Sequence, residues 1–406
     1  MRNSSSALER QPDPRRQENG AQIPNPIAKW GIGTMDHTVY LVSVILVLFG
    51  IMMVFSASYV VTGRSARHGF DTFYYLRRHG GIAVLGFAAM NFMAHFNYRF
   101  LKRLSMPLYL ISLVLLLFTA LFGPEIGGAR RWIEFFGIQF QPSEIAKVAL
   151  IMVLARVISG RRDILDKWPG FLLCTGIVGV MAVFVGIGNL STAIIIAIIG
   201  GGMIFMASRH VLRFVMAGLA GVSGMLGYLY VMAYHSHILP EAMGGQFRGG
   251  RFLAWRDPFS DMEGFGFQIV QSLYAIASGG LFGLGIGQSR QKTFLPEVHN
   301  DVIFSVIAEE LGFVGAGIIL LLFSILIWRG LRIAMNATET FGALIAVGIV
   351  LMIASQVIIN VAVVTNSIPN TGIPMPFISY GGTALVVTMG CMGILLNISR
   401  HSKVNG

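Results

Sequence analysis

Ten stretches of this chain stay apolar for about 20 residues each, the length a helix needs to cross the hydrocarbon core of a bilayer. They begin near His37, Gly80, Ser105, Pro142, Pro169, Leu190, Val211, Asp301, Phe341 and Gly381. Lipid offers the backbone no hydrogen-bond partner, so runs of this kind must close their bonds internally as helices. The predicted fold class is an all-α polytopic membrane protein. It has ten transmembrane helices and a large extracellular loop, about 237–300, between helices 7 and 8. Composition agrees: 12% of residues are charged, against roughly 25% in soluble domains. Glycine-dense segments such as Gly200-Gly-Gly202 suit closely packed membrane helices.

Residues 1–34 are polar and rich in Ser, Pro, Arg and Gln, with no apolar core of a signal peptide. They are expected to form a disordered cytoplasmic tail ahead of an uncleaved first anchor. A transmembrane domain follows over 35–400, and 401–406 form a second cytoplasmic tail. Ten spans put both termini on one side. The cations of the N-terminal tail, Arg99, Lys102, Arg103, Arg156, Arg161, Arg162, Lys167, Arg209, Arg213, Arg329, Arg332, Arg400 and Lys403 would then share that side. They outnumber those opposite, which predicts cytoplasmic termini. The net charge of +11 fits cytoplasmic anchoring on anionic lipid and needs no nucleic acid. Cys174 and Cys391 lie in apolar runs and suggest neither a disulfide framework nor a metal cluster.

This topology gathers three outer segments: about 123–141, about 236–300 and about 365–380. No Walker A pattern or dinucleotide fingerprint occurs, and Gly283-Leu-Gly-Ile-Gly287 lacks the strand–turn–helix setting of one. The run from Phe294 to Gly312 carries Glu297, His299 and Asp301 at the start of a span, with Glu309 and Glu310 deeper. Carboxylates inside a span are costly and are functional candidates by default. Against this, Asp is also a favoured helix cap, and Glu309 and Glu310 could pair structurally.

The long loop adds Arg248 and Arg251, which share a face if the segment is helical, beside several aromatics. Such residues suit headgroup anchoring as well as phosphate binding. Arg130 and Arg131 sit in a Gly-rich turn beside Trp132. Pro142 suits a helix start, and Glu144 and Lys147 are spaced to pair, which gives them a structural role as well as a place facing a cavity.

An outward carboxylate among arginines fits a reaction on a lipid-linked phosphate substrate. A sugar carried on pyrophosphate brings its own leaving group. It then needs only cationic stabilisation of the departing phosphate and one base for the attacking hydroxyl. Direct displacement inverts the anomeric centre.

Several motifs stand in one order. They are Phe55-Ser-Ala-Ser58, Gly127-Gly-Ala-Arg-Arg-Trp132, Gln141-Pro-Ser-Glu144, Arg248 through Asp257-Pro258, Gln268-Ile-Val-Gln-Ser272, Leu295-Pro-Glu-Val-His-Asn-Asp301, Glu309-Glu-Leu-Gly312 and Pro376-Phe-Ile-Ser-Tyr-Gly-Gly382. On these the chain resembles the SEDS (shape, elongation, division and sporulation) family of FtsW/RodA-type membrane glycosyltransferases, from about Asp36 to Ser399. The resemblance implies a peptidoglycan polymerase of the bacterial plasma (inner) membrane. It would take lipid II, extend a β-1,4 glycan strand outside the membrane and release undecaprenyl pyrophosphate. It implies Asp301 as the catalytic carboxylate and Arg130, Arg248, Arg251, Glu144, Lys147 and Glu297 as substrate-binding positions.

The resemblance also implies a class B penicillin-binding protein transpeptidase as partner, with other divisome membrane proteins. A divalent cation, Mg or Mn, would suit the pyrophosphate, though no residue pattern demands one. The polar tail, Phe55-Ser-Ala-Ser58 and Pro369-Asn-Thr-Gly-Ile373 favour the division branch and a place at the septum. The chain departs from the family at Gly188-Asn-Leu-Ser-Thr192, which lacks a common carboxylate, at Asn300 in place of Thr, and at Thr371 in place of a Lys. A lipid II flippase and a non-catalytic scaffold for the penicillin-binding protein are the alternatives. The first would use Glu144, Lys147, Glu309 and Glu310 as a polar path, and the second would leave Asp301 without a role.

Overall fold

A computed structural model describes residues 35–64, 69–126, 129–135, 138–161, 163–234, 245–294 and 298–402. The chain is built from helices α1 (His37–Arg64), α2 (Tyr74–His95), α3 (Leu101–Phe122), α4 (Pro142–Gly160), α5 (Trp168–Gly188) and α6 (Leu190–Ala207). They are followed by α7 (Val211–Tyr234), α8 (Gly245–Arg256), α9 (Phe267–Gly279), α10 (Ile303–Asn336), α11 (Thr340–Val364) and α12 (Gly382–Arg400). Two small antiparallel hairpins separate α3 from α4. In the first, β1 (Glu125–Ile126) pairs with β2 (Ala129–Arg130), with Glu125 opposite Arg130. In the second, β3 (Ile133–Phe135) pairs with β4 (Ile138–Phe140).

Helices occupy the positions of all ten apolar runs, and among the described residues seven of them are long and apolar enough to cross a membrane. The chain is an integral membrane protein. The other three long helices are α2, α4 and α7. Charge explains two of these: α2 begins with Arg77 and Arg78, and α4 holds Glu144, Lys147 and Arg156. Pro142 opens α4 at a position where its missing N–H costs nothing.

Burial ranks the helices. In the most apolar window of α11, 72% of residues are buried inside the protein, and 67% in α12, against 28% in α10. So α11 and α12 form the centre and α10 flanks them. Hydroxyls inside the helices bond to their own backbone, as Ser58 does to Val54 O (2.7 Å) and Thr62 to Ser58 O (2.9 Å). Close packing of α2 on α12 depends on Gly393, where a Cβ would lie 2.2 Å from Met90 O.

One end of the bundle is laced by polar contacts. Asp36 pairs with Arg329 (3.3 Å), whose Nη2 donates to Thr38 Oγ1 (2.8 Å). Arg99 pairs with Glu339 (2.6 Å), and Asn397 Nδ2 donates to Ala94 O (2.8 Å). These contacts join the start of α1 and the ends of α2, α10 and α12 to the start of α11. The first turns of α2, α10 and α12 and the last turn of α11 therefore lie at the opposite end, together with the start of α4, where Gln141 N donates to Thr383 Oγ1 (3.2 Å).

Candidate active site

The site is built on a break in α10. Gly312 sits at φ 68° and ψ −170°, so the helix cannot continue through it. In an unbroken helix the carbonyls of Glu309 and Glu310 would accept from residues 313 and 314. Here they accept from Leu284 N (3.0 Å) and Gly285 N (2.9 Å). Phe313 N and Val314 N donate instead to Gly280 O (2.9 Å) and Leu281 O (3.0 Å). The glycine-rich segment 280–285 thus pairs the four backbone groups left by these two lost helix bonds. A Cβ on Gly283 would lie 2.2 Å from Glu310 O, which explains the small residue at this contact. The half fingerprint Gly283-Leu-Gly-Ile-Gly287 is a backbone clamp.

The carboxylates of Glu309 and Glu310 complete the clamp. Glu310 accepts from both Ser56 Oγ (2.8 and 2.6 Å) and Lys292 Nζ (3.2 Å), with Lys292 also 4.7 Å from the centre of the Tyr59 ring. Glu309 accepts from Arg290 N (3.0 Å), Gln291 N (3.4 Å) and Ser278 Oγ (3.3 Å). Both are fully buried. Their oxygens are satisfied by donors that fix the chain running toward Asp301.

Asp301 is not the cap of α10; that position is Val302, and it makes no side-chain cap bond. Instead Asp301 Oδ1 accepts from Gln268 Nε2 of α9 (3.2 Å). Gln268 Oε1 accepts from Asn370 Nδ2 (2.7 Å), and Asn370 Oδ1 accepts from Gly372 N (3.2 Å). Asp301 Oδ2 and Arg131 Nη1 both border Gly372, 3.6 and 3.8 Å from where a Cβ on that residue would sit. Gly372 has φ 64°, which a residue with a Cβ adopts poorly. Asn360 Nδ2 of α11 ties Asp301 O (2.7 Å) to Ile373 O (2.8 Å).

Burial raises the pKa of the Asp301 carboxyl above the usual 3.8, opposed by a backbone hydrogen bond, by the positive field of Arg251, by Gln268 and by Arg131. Arg251 of α8 is itself lowered by burial, with the Asp301 charge working the other way. Its Nη1 donates to Asn370 O (3.4 Å), and α8 is held down further by Trp255 Nε1 donating to Asn366 O (3.1 Å).

An aromatic wall closes the side toward α2. The rings of Tyr75 and His299 lie 4.1 Å apart, those of Tyr75 and Tyr380 4.9 Å. Tyr380 N donates to His299 O (2.8 Å). Tyr380 is held by a strained turn in which Phe377 has φ 64° and Ile378 N bonds back to Pro376 O (2.8 Å). Such a γ-turn is rare outside constrained sites.

Of the residues the sequence singled out, Asp301 and Arg251 come together. Arg130 does not join them: it is exposed and its Nη1 donates to Leu121 O (3.1 Å). Its neighbour Arg131 faces Asp301, with Nε donating to Gly188 O (3.1 Å). Gly188 belongs to the segment that departs from the family pattern, where Asn189 caps α6 by accepting from Thr192 N (3.2 Å). Glu144 and Lys147 form a buried pair (2.9 Å) whose field reaches Cys391 of α12. Arg248 lies in α8, but its side chain is outside the described residues, as is Glu297. Arg131, Gln268, Asn370 and Gly372 are the members of the site that sequence reasoning did not select. Among the described residues no group of three or more His, Cys, Asp and Glu side chains could hold a metal ion.

A partly buried carboxylate with raised proton affinity, flanked by two guanidinium groups, can take a proton while the cations receive a departing anion. The chain is similar to known proteins over most of its length. Residues 36–404 match the FtsW/RodA/SpoVE family, described as cell cycle proteins. Stage V sporulation protein E of Bacillus subtilis (strain 168) is 40% identical over 375 residues, which span 91% of this chain and 98% of that protein. A probable peptidoglycan glycosyltransferase FtsW of Geobacter sp. (strain M18) is 38% identical over 373 residues, 91% of this chain and 97% of that one. Among solved structures, a chain in a peptidoglycan synthase complex that coordinates polymerization and crosslinking is 28% identical with a TM-score of 0.71. That alignment covers 91% of this chain and 99% of the other.

Proposed function

The chain belongs to the FtsW/RodA/SpoVE family of cell cycle proteins, and on that premise we propose that it is a peptidoglycan glycosyltransferase that polymerises lipid II. The observation that carries the proposal is the meeting of Asp301 with Arg131 and Arg251 at the end of the bundle where the outer segments converge. Asp301 takes the proton of the acceptor sugar's 4-hydroxyl. That oxygen attacks the anomeric carbon of the donor, and the bond to the pyrophosphate breaks with its electron pair on the phosphate oxygen. Arg131 and Arg251 stabilise the negative charge as undecaprenyl pyrophosphate leaves. One displacement inverts the anomeric centre and leaves a β-1,4 link.

Under this reading all ten long helices cross the inner membrane, both termini are cytoplasmic, and the segment carrying α8 and α9 lies outside. The partner is a class B penicillin-binding protein, in keeping with the synthase complex to which the chain is similar. Septal synthesis is supported by the polar N-terminal tail and the Phe55-Ser-Ala-Ser58 and Pro369-Asn-Thr-Gly-Ile373 motifs. The burial of Glu309 and Glu310 in a satisfied backbone clamp speaks against their lining a polar path for a flippase.

The test is polymerisation of lipid II by the purified chain with its penicillin-binding protein, the partner's catalytic serine blocked. Glycan polymer from wild type and none from Asp301→Asn supports the proposal. Equal polymer from both removes Asp301 as base, and none from either in a folded complex removes the polymerase reading.

A further inference from the structure

We propose that Asn370 and Gln268 form a two-amide relay that holds Oδ1 of Asp301 and so fixes the orientation of the carboxylate that takes the proton. The proposal rests on the polymerase reading only for the source of that proton.

The relay's direction follows from its two ends. An ionised carboxylate can only accept, and a backbone N–H can only donate. Gly372 N–H therefore points at Asn370 Oδ1 (3.2 Å), which turns Asn370 Nδ2 toward Gln268 Oε1 (2.7 Å). Gln268 must then present Nε2 to Asp301 Oδ1 (3.2 Å). The side-chain amides have no other self-consistent orientation. The chain cannot reverse, because Gly372 N–H has no acceptor form, so Gln268 keeps an N–H on Oδ1. Oδ2 lies on the side bordered by Gly372 and Arg131 Nη1, where Gly372 has no side chain to fill the space.

In the reaction the acceptor's O–H bond breaks, its electron pair becomes the new glycosidic C–O bond as the bond to the pyrophosphate breaks with its pair on the phosphate oxygen, and the proton bonds to the Asp301 carboxylate. Gln268 and Asn370 touch no reacting atom and are positioning residues. The charged groups facing Asp301 are Arg251 from α8 and Arg131 from the segment between the hairpins. His299 lies two residues before it, its ring against Tyr75. Gln268 donates to Oδ1 more strongly when the carboxyl is ionised, so it holds the carboxyl's pKa down against the effect of burial.

The experiment is an infrared titration of the Asp301 carboxyl in the full chain in lipid nanodiscs, without substrate, with Asp301→Asn as the subtraction. Gln268→Met, close in shape and lacking the donor, is expected to raise the midpoint by about one pH unit. Asn370→Ala is expected to raise it by less. The double variant should match Gln268→Met alone, because Asn370 acts through Gln268. An unmoved midpoint in Gln268→Met overturns the relay, and so does a double shift equal to the sum of the single ones. Should Gln268→Met fail to fold, Asn370→Ser, too short to reach Gln268, must still raise the midpoint or the relay falls. Polymerisation by wild type, assayed in parallel, separates the two claims. Shifted titration without polymer keeps the relay and removes the polymerase reading, and polymer without shifted titration does the reverse. With both in hand, the acid limb of kcat should follow the titration while KM stays unchanged.

Discussion

Asp301 lies among groups that pull its proton affinity in opposite directions. Burial raises it, and Arg251, Gln268 and Arg131 lower it. Such a balance leaves the carboxylate more basic than one in water, which suits a general base. Asp301→Asn is expected to slow lipid II polymerisation by about 10²–10⁴-fold, read as glycan formed per unit time. Arg131→Gln is expected to cost about 10²–10³-fold through loss of leaving-group stabilisation, and Arg130→Gln less than about tenfold. Equal losses for the two arginines would contradict the geometry. The sequence showed Asp301 and, by helical spacing, Arg251, because both follow from local pattern. It carried Arg130 into the site and left out Arg131. The choice between them is made by the hairpin, whose register sets Arg130 opposite Glu125, and successive residues of an extended chain point opposite ways. Gln268 and Asn370 were hidden because common amides become distinctive only when three segments bring them together.

At the scale of elements, the broken helix α10 and the segment that repairs it decide where Asp301 stands. Gly312→Ala would combine a φ of 68° with a Cβ about as close as 2.4 Å to Gly283 N. A left-handed non-glycine residue alone costs about 1–3 kcal/mol. A lowered thermal unfolding midpoint in detergent is expected, with activity falling alongside. Lys292→Met would leave Glu310 buried without its ion-pair partner. The loss expected is about 3–5 kcal/mol, measured as chemical unfolding of the purified protein. Wild-type stability in that variant would show that the Ser56 hydroxyl and the Ser289 N–H on Glu310 suffice. The sequence marked Glu309 and Glu310 as costly but not what they hold, since backbone N–H groups leave no trace in residue type. The break itself was invisible: glycine is common in membrane helices, and only tertiary contact shows that this one is bent.

Across the whole molecule α11 and α12 lie at the centre, with polar lacing at one end and Asp301 at the other. The series of apolar helices was legible, because apolar runs of spanning length have few alternatives in lipid; which of them form the centre was not. The pairing of α2 with α12 was not, since it depends on matched surfaces rather than pattern. The ten-span arrangement is tested by cysteine accessibility. Cys174 and Cys391 are both buried and give little background. A membrane-impermeant maleimide is expected to label Glu263→Cys on intact cells, and Thr338→Cys only after permeabilisation. Labelling of both on intact cells would break the topology.

The most direct measurement is the rate of lipid II polymerisation against pH, in complex with the blocked penicillin-binding protein. A base works only when deprotonated, so the rate falls as pH drops through its pKa. Because burial raises that of Asp301, the acid limb should lie above the ordinary value of 3.8. It should vanish from the residual rate of Asp301→Asn. A limb that persists unchanged in Asp301→Asn would contradict the assignment of Asp301 as the base.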